Sequence, residues 1–374
     1  MTNKNIFISG CARMAGESIW VSLLDCNGLV KIDVNNGRLS FVGVFPWKDS
    51  EYQMYSWICE YNDKLIFTPW NSNNIAIYDM KKNEFRQIPM KDYGYEKGGR
   101  FVYSTQKEEK LYLVSENEKD IMAFNMQEET IEKIYTFTGY DYQYSVSKCA
   151  LSIRIKDDIW KVADNRTLWK FNLLSEQYEQ AELSEQMLTV YAGCGSDEYL
   201  WLLVENSLFY QFTSDGKCFR KYDLSELLQS KLQDSVETEA FAGLYLEGNV
   251  FLMWHSKKKL FRIPMRDREL KLEETNCYEL NDAVLFFGDQ LMVNTNSKMY
   301  FFDGYMQKEI TIEQVKDFKD IFLRRNEQGI IECRYLTMED FVAYVIRRGK
   351  TTAAAESVFE SMIGCDIYRL VNTK

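Results

Sequence analysis

Apolar and polar positions alternate in short bursts along most of this chain, and the clearest run lies between Leu65 and Ile88. Leu65, Ile66 and Phe67 end in a Pro/Asn/Ser turn. Ile75, Ile77 and Tyr78 alternate with smaller or polar neighbours, and the polar corner Asp79 to Glu84 leads into Phe85 to Ile88. Alternation with a period of two, bounded by turn residues, predicts three strands. A piece this small cannot bury its apolar faces alone, so its repetition matters more than its content.

The repetition is extensive. The third strand of each unit carries one apolar column, Leu29, Ile75, Ile121, Leu168, Phe209, Leu260 and Met299, spaced 46, 46, 47, 41, 51 and 39 residues apart. A second column lies three residues further on, at Ile32, Tyr78, Phe124, Phe171, Phe212, Ile263 and Phe302. Directly after it stand Asp33, Asp79, Asn125, Asn172, Thr213, Pro264 and Asp303. A short side chain there can hydrogen-bond to its own backbone and close the turn that leaves the strand. The preceding strand recurs as SIWVSLL, KLIFTPW, KLYLVSE, DIWKVAD, YLWLLVE, NVFLMWH and QLMVNTN, often after an acidic or glycine-containing turn such as Asn62-Asp63 or Glu247-Gly248-Asn249. One more apolar run precedes it in each unit, for example Ser56 to Tyr61 and Cys149 to Ile155.

Four short strands in a unit of about 45 residues are the signature of a β-propeller blade. Over residues 4–316 the sequence resembles the β-propeller superfamily, most closely the loosely patterned blades of the NHL and YVTN type. It has no tryptophan-aspartate repeat, no double-glycine kelch motif and no tandem calcium-binding Asp pattern, so the resemblance implies fold and nothing finer. The expectation is an all-β, seven-bladed propeller over residues 1–316.

Residues 317–374 read differently. Ile321 to Arg325 and Ile330 to Tyr335 form a hairpin-like pair. Thr337 to Asp340 is a capped helix start, with Phe341, Tyr344, Val345 and Arg348 at helical spacing and Gly349 as the stop. Thr352 to Val371 repeats the pattern, with Ala355, Val358, Phe359, Met362, Ile363 and Ile367 on one face. The pair either packs on the propeller or offers the helix over 352–371 to a partner. A shorter amphipathic helix is expected at Asp223 to Asp234, from Leu224, Leu227, Leu228 and Leu232.

Composition narrows the chemistry. A net charge of -11 argues against nonspecific binding to nucleic acid or anionic membrane. The N-terminus lacks the apolar core of a signal peptide, and no stretch is apolar for the length of a spanning helix, so a cytoplasmic location is expected. Nine scattered cysteines without CxxC spacing read as buried small residues. The one histidine, His255, has no neighbouring pattern for a metal site or a catalytic triad and reads as a rim residue. Phosphate-loop, GxGxxG and GxSxG patterns are missing, Gly98-Gly99-Arg100 is too short to cradle phosphate, and no cofactor or metal is implied.

The propeller resemblance brings the interblade connections and the loops between second and third strands to one face, around the channel mouth. The first three interblade segments are long and aromatic, and the second unit adds a tryptophan in its loop. The candidate ligand-binding residues are therefore Trp47, Tyr55, Trp70, Asn71, Tyr93, Tyr95, Arg100, Tyr140, Asp141 and Tyr142. Rigid aromatic rings beside Asp and Arg suit sugar stacking or peptide recognition, although such rings also pack against one another to stabilise loops. The leading expectation is a non-catalytic recognition or scaffold protein that binds a protein segment or a glycan. The alternative is a carbohydrate-active or lyase-type enzyme using carboxylates and tyrosines at the channel mouth.

Overall fold

The computed structural model of the chain describes residues 10–23, 27–45, 54–95, 100–115, 119–137, 152–162, 167–186, 189–196, 198–205, 207–232, 241–255, 259–279, 284–287, 290–294, 298–303, 306–311, 323–325 and 331–333. Among them the protein is all-β with one α-helix. The first sheet contains β1 (Gly10–Ala15), β2 (Ser18–Leu23), β3 (Gly28–Asp33) and β4 (Leu39–Val44), and the second β5 (Tyr55–Tyr61), β6 (Lys64–Pro69), β7 (Asn74–Asp79) and β8 (Glu84–Pro89). The third has β9 (Phe101–Lys107), β10 (Lys110–Ser115), β11 (Asp120–Asn125) and β12 (Thr130–Thr136), and the fourth β13 (Ser152–Ile155), β14 (Asp158–Val162), β15 (Thr167–Asn172) and β16 (Gln177–Glu182). The fifth is β17 (Val190–Gly195), β18 (Tyr199–Val204), β19 (Leu208–Thr213) and β20 (Cys218–Asp223). The sixth, with five strands, is β21 (Phe241–Glu247), β22 (Val250–His255), β23 (Lys259–Arg266), β24 (Glu269–Leu270) and β25 (Asn276–Glu279). Then come β26 (Val284–Phe287), β27 (Gln290–Asn294), β28 (Lys298–Asp303) and β29 (Met306–Thr311), and finally the antiparallel pair β30 (Leu323–Arg325) and β31 (Ile331–Cys333). Each four-stranded sheet keeps its strands in chain order. The two helices expected between Thr337 and Val371 lie outside the described residues.

The apolar columns fall in the third strand of each sheet, and the short polar residue that follows does the work its side chain allows. Asp33 Oδ1 accepts the N–H of Asn35 at 2.8 Å and of Asn36 at 3.1 Å. Asp79 accepts from Lys81 and Lys82 at 3.1 and 3.0 Å, Asn125 from Gln127 and Glu128 at 3.0 and 2.9 Å, and Asn172 from Leu174 and Ser175 at 3.1 and 2.8 Å. Two residues past that last donor position's first partner, the chain must turn left-handed, which it does at Gly37, Asn83, Glu129 and Glu176 with φ of 69, 56, 58 and 55°. The N–H groups of Gly37, Asn83 and Glu176 then close back on the carbonyls of Asp33, Asp79 and Asn172, each at 2.8 Å. A second bond ties this turn to its neighbour: the N–H of Val34, Met80, Met126 and Leu173 reaches the carbonyl of Glu17, Asp63, Glu109 and Asp157, in the turn between the first and second strands, at 2.7 to 3.0 Å.

The sixth sheet departs where proline replaces the acceptor. Pro264 has no side-chain oxygen to cap the turn, so β23 runs on to Arg266 and reverses at Asp267 and Arg268, both left-handed at φ 52 and 65°.

The chain divides into two compact units, one holding Met1–Gly99 and the other Arg100–Thr295, with the remaining residues shared between them. In the first unit, β1 runs beside β5. Phe45 and Tyr55 lie 4.7 Å apart by ring centroid, and each packs on Phe67, at 5.0 and 5.4 Å. In the second unit, consecutive sheets stack on apolar clusters. Tyr112, Val114 and Ile121 meet Ile159 and Phe171 between the third and fourth sheets. Trp160 and Val162 meet Leu200 and Tyr210 between the fourth and fifth. Trp201 and Phe209 meet Phe251 and Met253 between the fifth and sixth, where Leu224 and Leu228 also anchor the helix α1 (Ser225–Leu232) expected from sequence.

Charged side chains repeat across the same three interfaces. Lys110 binds Glu176 at 2.8 Å, Lys170 Nζ donates to the Ser214 carbonyl at 2.7 Å, and Arg220 donates to the Arg268 carbonyl at 3.0 Å. In every case a cation of one sheet holds the third-to-fourth-strand turn of the next.

First strands of neighbouring sheets approach closely enough to need glycine. A Cβ on Gly195 would lie 2.5 Å from the Arg154 carbonyl oxygen and 2.8 Å from Ile155. Gly195→Ala is therefore expected to destabilise by about 1–3 kcal/mol through overpacking, read as a lower urea midpoint at unchanged slope. Gly248→Ala meets nothing within 4 Å and carries only the strain of φ 55°, so it should cost about 1 kcal/mol or less. Equal losses would contradict the close approach of β13 and β17.

Candidate functional site

The loop end of the second sheet gathers four of the ten candidate residues on two short segments. Trp70 and Asn71 follow β6, and Tyr93 and Tyr95 follow β8. Both segments are fixed by backbone bonds to buried methionines. The Met54 carbonyl accepts the N–H of Trp70 at 2.8 Å and of Ser72 at 3.3 Å, and the Ser72 hydroxyl accepts the N–H of Asn74 at 3.1 Å. Met90 donates its N–H to the Asn73 carbonyl at 3.1 Å, which joins the two segments directly. Beyond it the chain makes one 3-10 turn, Lys91–Tyr93, stopped by Gly94 at φ 85°, where a glycine is needed. The Met90 carbonyl accepts from both Tyr93 and Tyr95.

The four side chains differ in exposure. Tyr93 is 41% exposed, one of few large apolar side chains so open among the described residues. Trp70, Asn71 and Tyr95 are half-buried. Tyr55 belongs to the core instead: it is 2% exposed, held between Phe45 and Phe67, and supports the rim from below. Arg100 is exposed with φ 37° immediately before β9, in the other compact unit. Trp47, Tyr140, Asp141 and Tyr142 lie outside the described residues. His255 is the last residue of β22, opposite Phe241 and Lys259.

The same closure recurs at other loop ends, which explains why these segments are ordered. Phe45, Phe137 and Leu224, each just past a fourth strand, donate their N–H to the carbonyls of Asn27, Lys119 and Ser207 at 3.2, 2.9 and 2.9 Å.

A second constellation escaped the sequence reading. Between the third and fourth sheets, Lys110 lies 3.0 Å from Glu132 and 2.8 Å from Glu176, while Asn125 donates to Glu132 at 2.8 Å. Glu176 also accepts the Tyr112 hydroxyl at 3.0 Å and the Tyr135 hydroxyl on its other oxygen. Burial, reinforced by those bonds, lifts both phenols above their ordinary range. The bonds to Glu176 and Glu132 likewise raise the Lys110 ammonium. Burial works against the charge on Glu176, but the donors Lys110, Tyr135 and Tyr112 outweigh it and hold the carboxyl below the usual range. Two phenols thus converge on one carboxylate, Glu176, and Lys110 bridges it to the other, Glu132. Each group is held in its ordinary ionic form, the opposite of the near-neutral pKa that acid-base catalysis uses. The arrangement is a clamp between sheets. Its one legible signal was Tyr112, whose hydroxyl stands in a run of strand residues otherwise apolar.

Among the described residues no three His, Cys, Asp or Glu side chains gather to hold a metal ion, and no helix is long and apolar enough to cross a membrane. No known protein family matches the chain, and no curated protein sequence does. Among solved structures, the computationally designed protein Ika8 is similar at 8% identity over 82% of this chain and 98% of that chain, with a TM-score of 0.46. At that score the likeness decides neither architecture nor function.

The clamp has a pH signature. The folded-state pKa of Glu176 lies below that of an unfolded glutamate, about 4.3, so its stabilisation is complete above that value and is lost as pH falls through the folded pKa. The Glu176→Gln variant should be less stable than the parent by roughly 1–2 kcal/mol at neutral pH, a modest figure because the site is partly open to solvent. In denaturant titrations the gap should narrow progressively as pH falls below the unfolded value of about 4.3. A gap that stays constant across that range would show that the carboxylate charge contributes nothing.

Proposed function

We propose that the repeated sheets are blades of a seven-bladed β-propeller, and that the protein is a non-catalytic recognition module binding a protein segment or a glycan at the loop end of its second blade. Strand order 1-2-3-4, first strands lying beside first strands and the same closures at both ends of successive sheets all support the propeller reading. The sequence pattern over 352–371 extends it with a helix offered to a partner.

One observation carries the binding reading. Trp70, Asn71, Tyr93 and Tyr95 sit on two segments that Met54, Asn73 and Met90 tie together through backbone hydrogen bonds. Aromatic rings presented from a preordered frame lose little entropy when a ligand covers them. The core of the sheet beneath is built on Tyr55, Phe67 and Phe45.

Glycan and peptide arrays probed with the full chain test this. The parent should bind members of one array, and Trp70→Ala and Tyr93→Ala should each weaken that binding by about tenfold or more, as truncation of a hot-spot aromatic does, with thermal unfolding little changed. Undiminished binding in both variants would move the site elsewhere.

A further inference from the structure

The outer edge of the first sheet is unlike the others. β4 (Leu39–Val44) ends that sheet, and no described strand pairs with its far side. It reads LSFVGV, with no charged residue and no proline, and Ser40 is its one exposed position. Every other outer strand carries at least one charge, from Glu84 and Arg86 in β8 to Lys308 and Glu309 in β29. We propose that β4 pairs antiparallel with β4 of a second copy of this chain, so that the first sheets of two molecules form one continuous sheet.

Four observations select that partner. An edge strand presents unpaired N–H and C=O groups, and charges or proline along it are what normally keep other strands away. β4 has neither. It does carry a bulge at Val42, because Leu29 pairs with Gly43 and Val30 with Phe41, but β12 and β20 carry register shifts of the same kind and keep their charges as well. The strand is also preordered. Phe85 of the second sheet leans on it so closely that a Cβ on Gly43 would lie 2.9 Å from that ring, and pairing with an edge already held in place costs little chain entropy. Charge favours a like molecule at this sheet. Two copies of a chain of net charge -11 repel, yet between Gly10 and Phe45 the acids Glu17, Asp25 and Asp33 are balanced by Arg13, Lys31 and Arg38, so the first sheet adds nothing to that repulsion. Association also stops at two copies. The other edge of the sheet, β1, lies beside β5 of its own chain, and an antiparallel pair of identical strands consumes both free edges in one isologous contact.

Sedimentation equilibrium of the full chain tests the pairing. The parent should be a dimer at micromolar concentration. Ser40→Lys, at the exposed position of the strand, and Val42→Lys should each weaken dimerisation by about tenfold or more, because a buried charge at the centre of the new pairing has no partner. Gln180→Lys adds the same charge at an exposed position of another outer strand, β16, and should leave the dimer unchanged. Hydrogen exchange gives a second reading: the β4 amides should gain protection as concentration rises, while those of β8 do not. A parent that stays monomeric, a dimer that survives both β4 substitutions, or one that Gln180→Lys disrupts equally would each overturn the assignment. A monomeric Ser40→Lys variant with the circular dichroism of the parent shows that the edge contact, rather than the fold, was lost.

Discussion

One side-chain oxygen, at the end of the third strand, sets the form of the reversal in each of the first four sheets. Where that residue is Asp or Asn, its Oδ1 takes two backbone N–H groups that would otherwise lack partners, and the chain is left to reverse at one left-handed position. The residue just after the cap is then placed to bond the neighbouring turn, so both reversals at that end of the sheet are fixed together. Pro264 shows the dependence by exception: without the oxygen, the strand overruns and the reversal shifts to Asp267 and Arg268.

Fixing this turn gives the next interaction a target. In the second compact unit, Lys110, Lys170 and Arg220 each reach from one sheet to the reversal of the following sheet. Apolar packing between the sheets is non-directional, whereas a bond to one carbonyl or carboxylate specifies how far one sheet slides on the next. The Glu176 clamp is the most elaborate version, with two phenols added to the lysine. The opposite ends of the sheets are closed by backbone bonds, with side-chain support that differs from sheet to sheet, from Asn27 in the first, Ser72 in the second and Ser115 in the third. Trp70 and Tyr93 stand at that end of the second sheet.

Much of this was legible in the sequence. The apolar columns mark the third strands because burial on both faces leaves no freedom at Ile75, Ile121 or Phe209, all at 0–1% exposure. The Asp/Asn column predicted its turn because the bond is local. What stayed hidden depends on contacts between sheets. Lys110 and Glu176 are 66 positions apart, and nothing in either neighbourhood announces the pairing. Tyr55 was read as a rim residue because its segment leads away from a loop, yet its ring turns down onto Phe67. Alternation places a residue on a face without saying whether that face is covered.

The most direct test of the capped reversal as the organising element is hydrogen exchange under native conditions, followed at the amides of Gly37, Asn83 and Glu176. If the reversal is an integral part of each sheet, these amides exchange as slowly as those of β3, β7 and β15 beside them. Exchange at the rate of an unstructured peptide, with the strands still protected, would show that the turns merely follow the sheets they join.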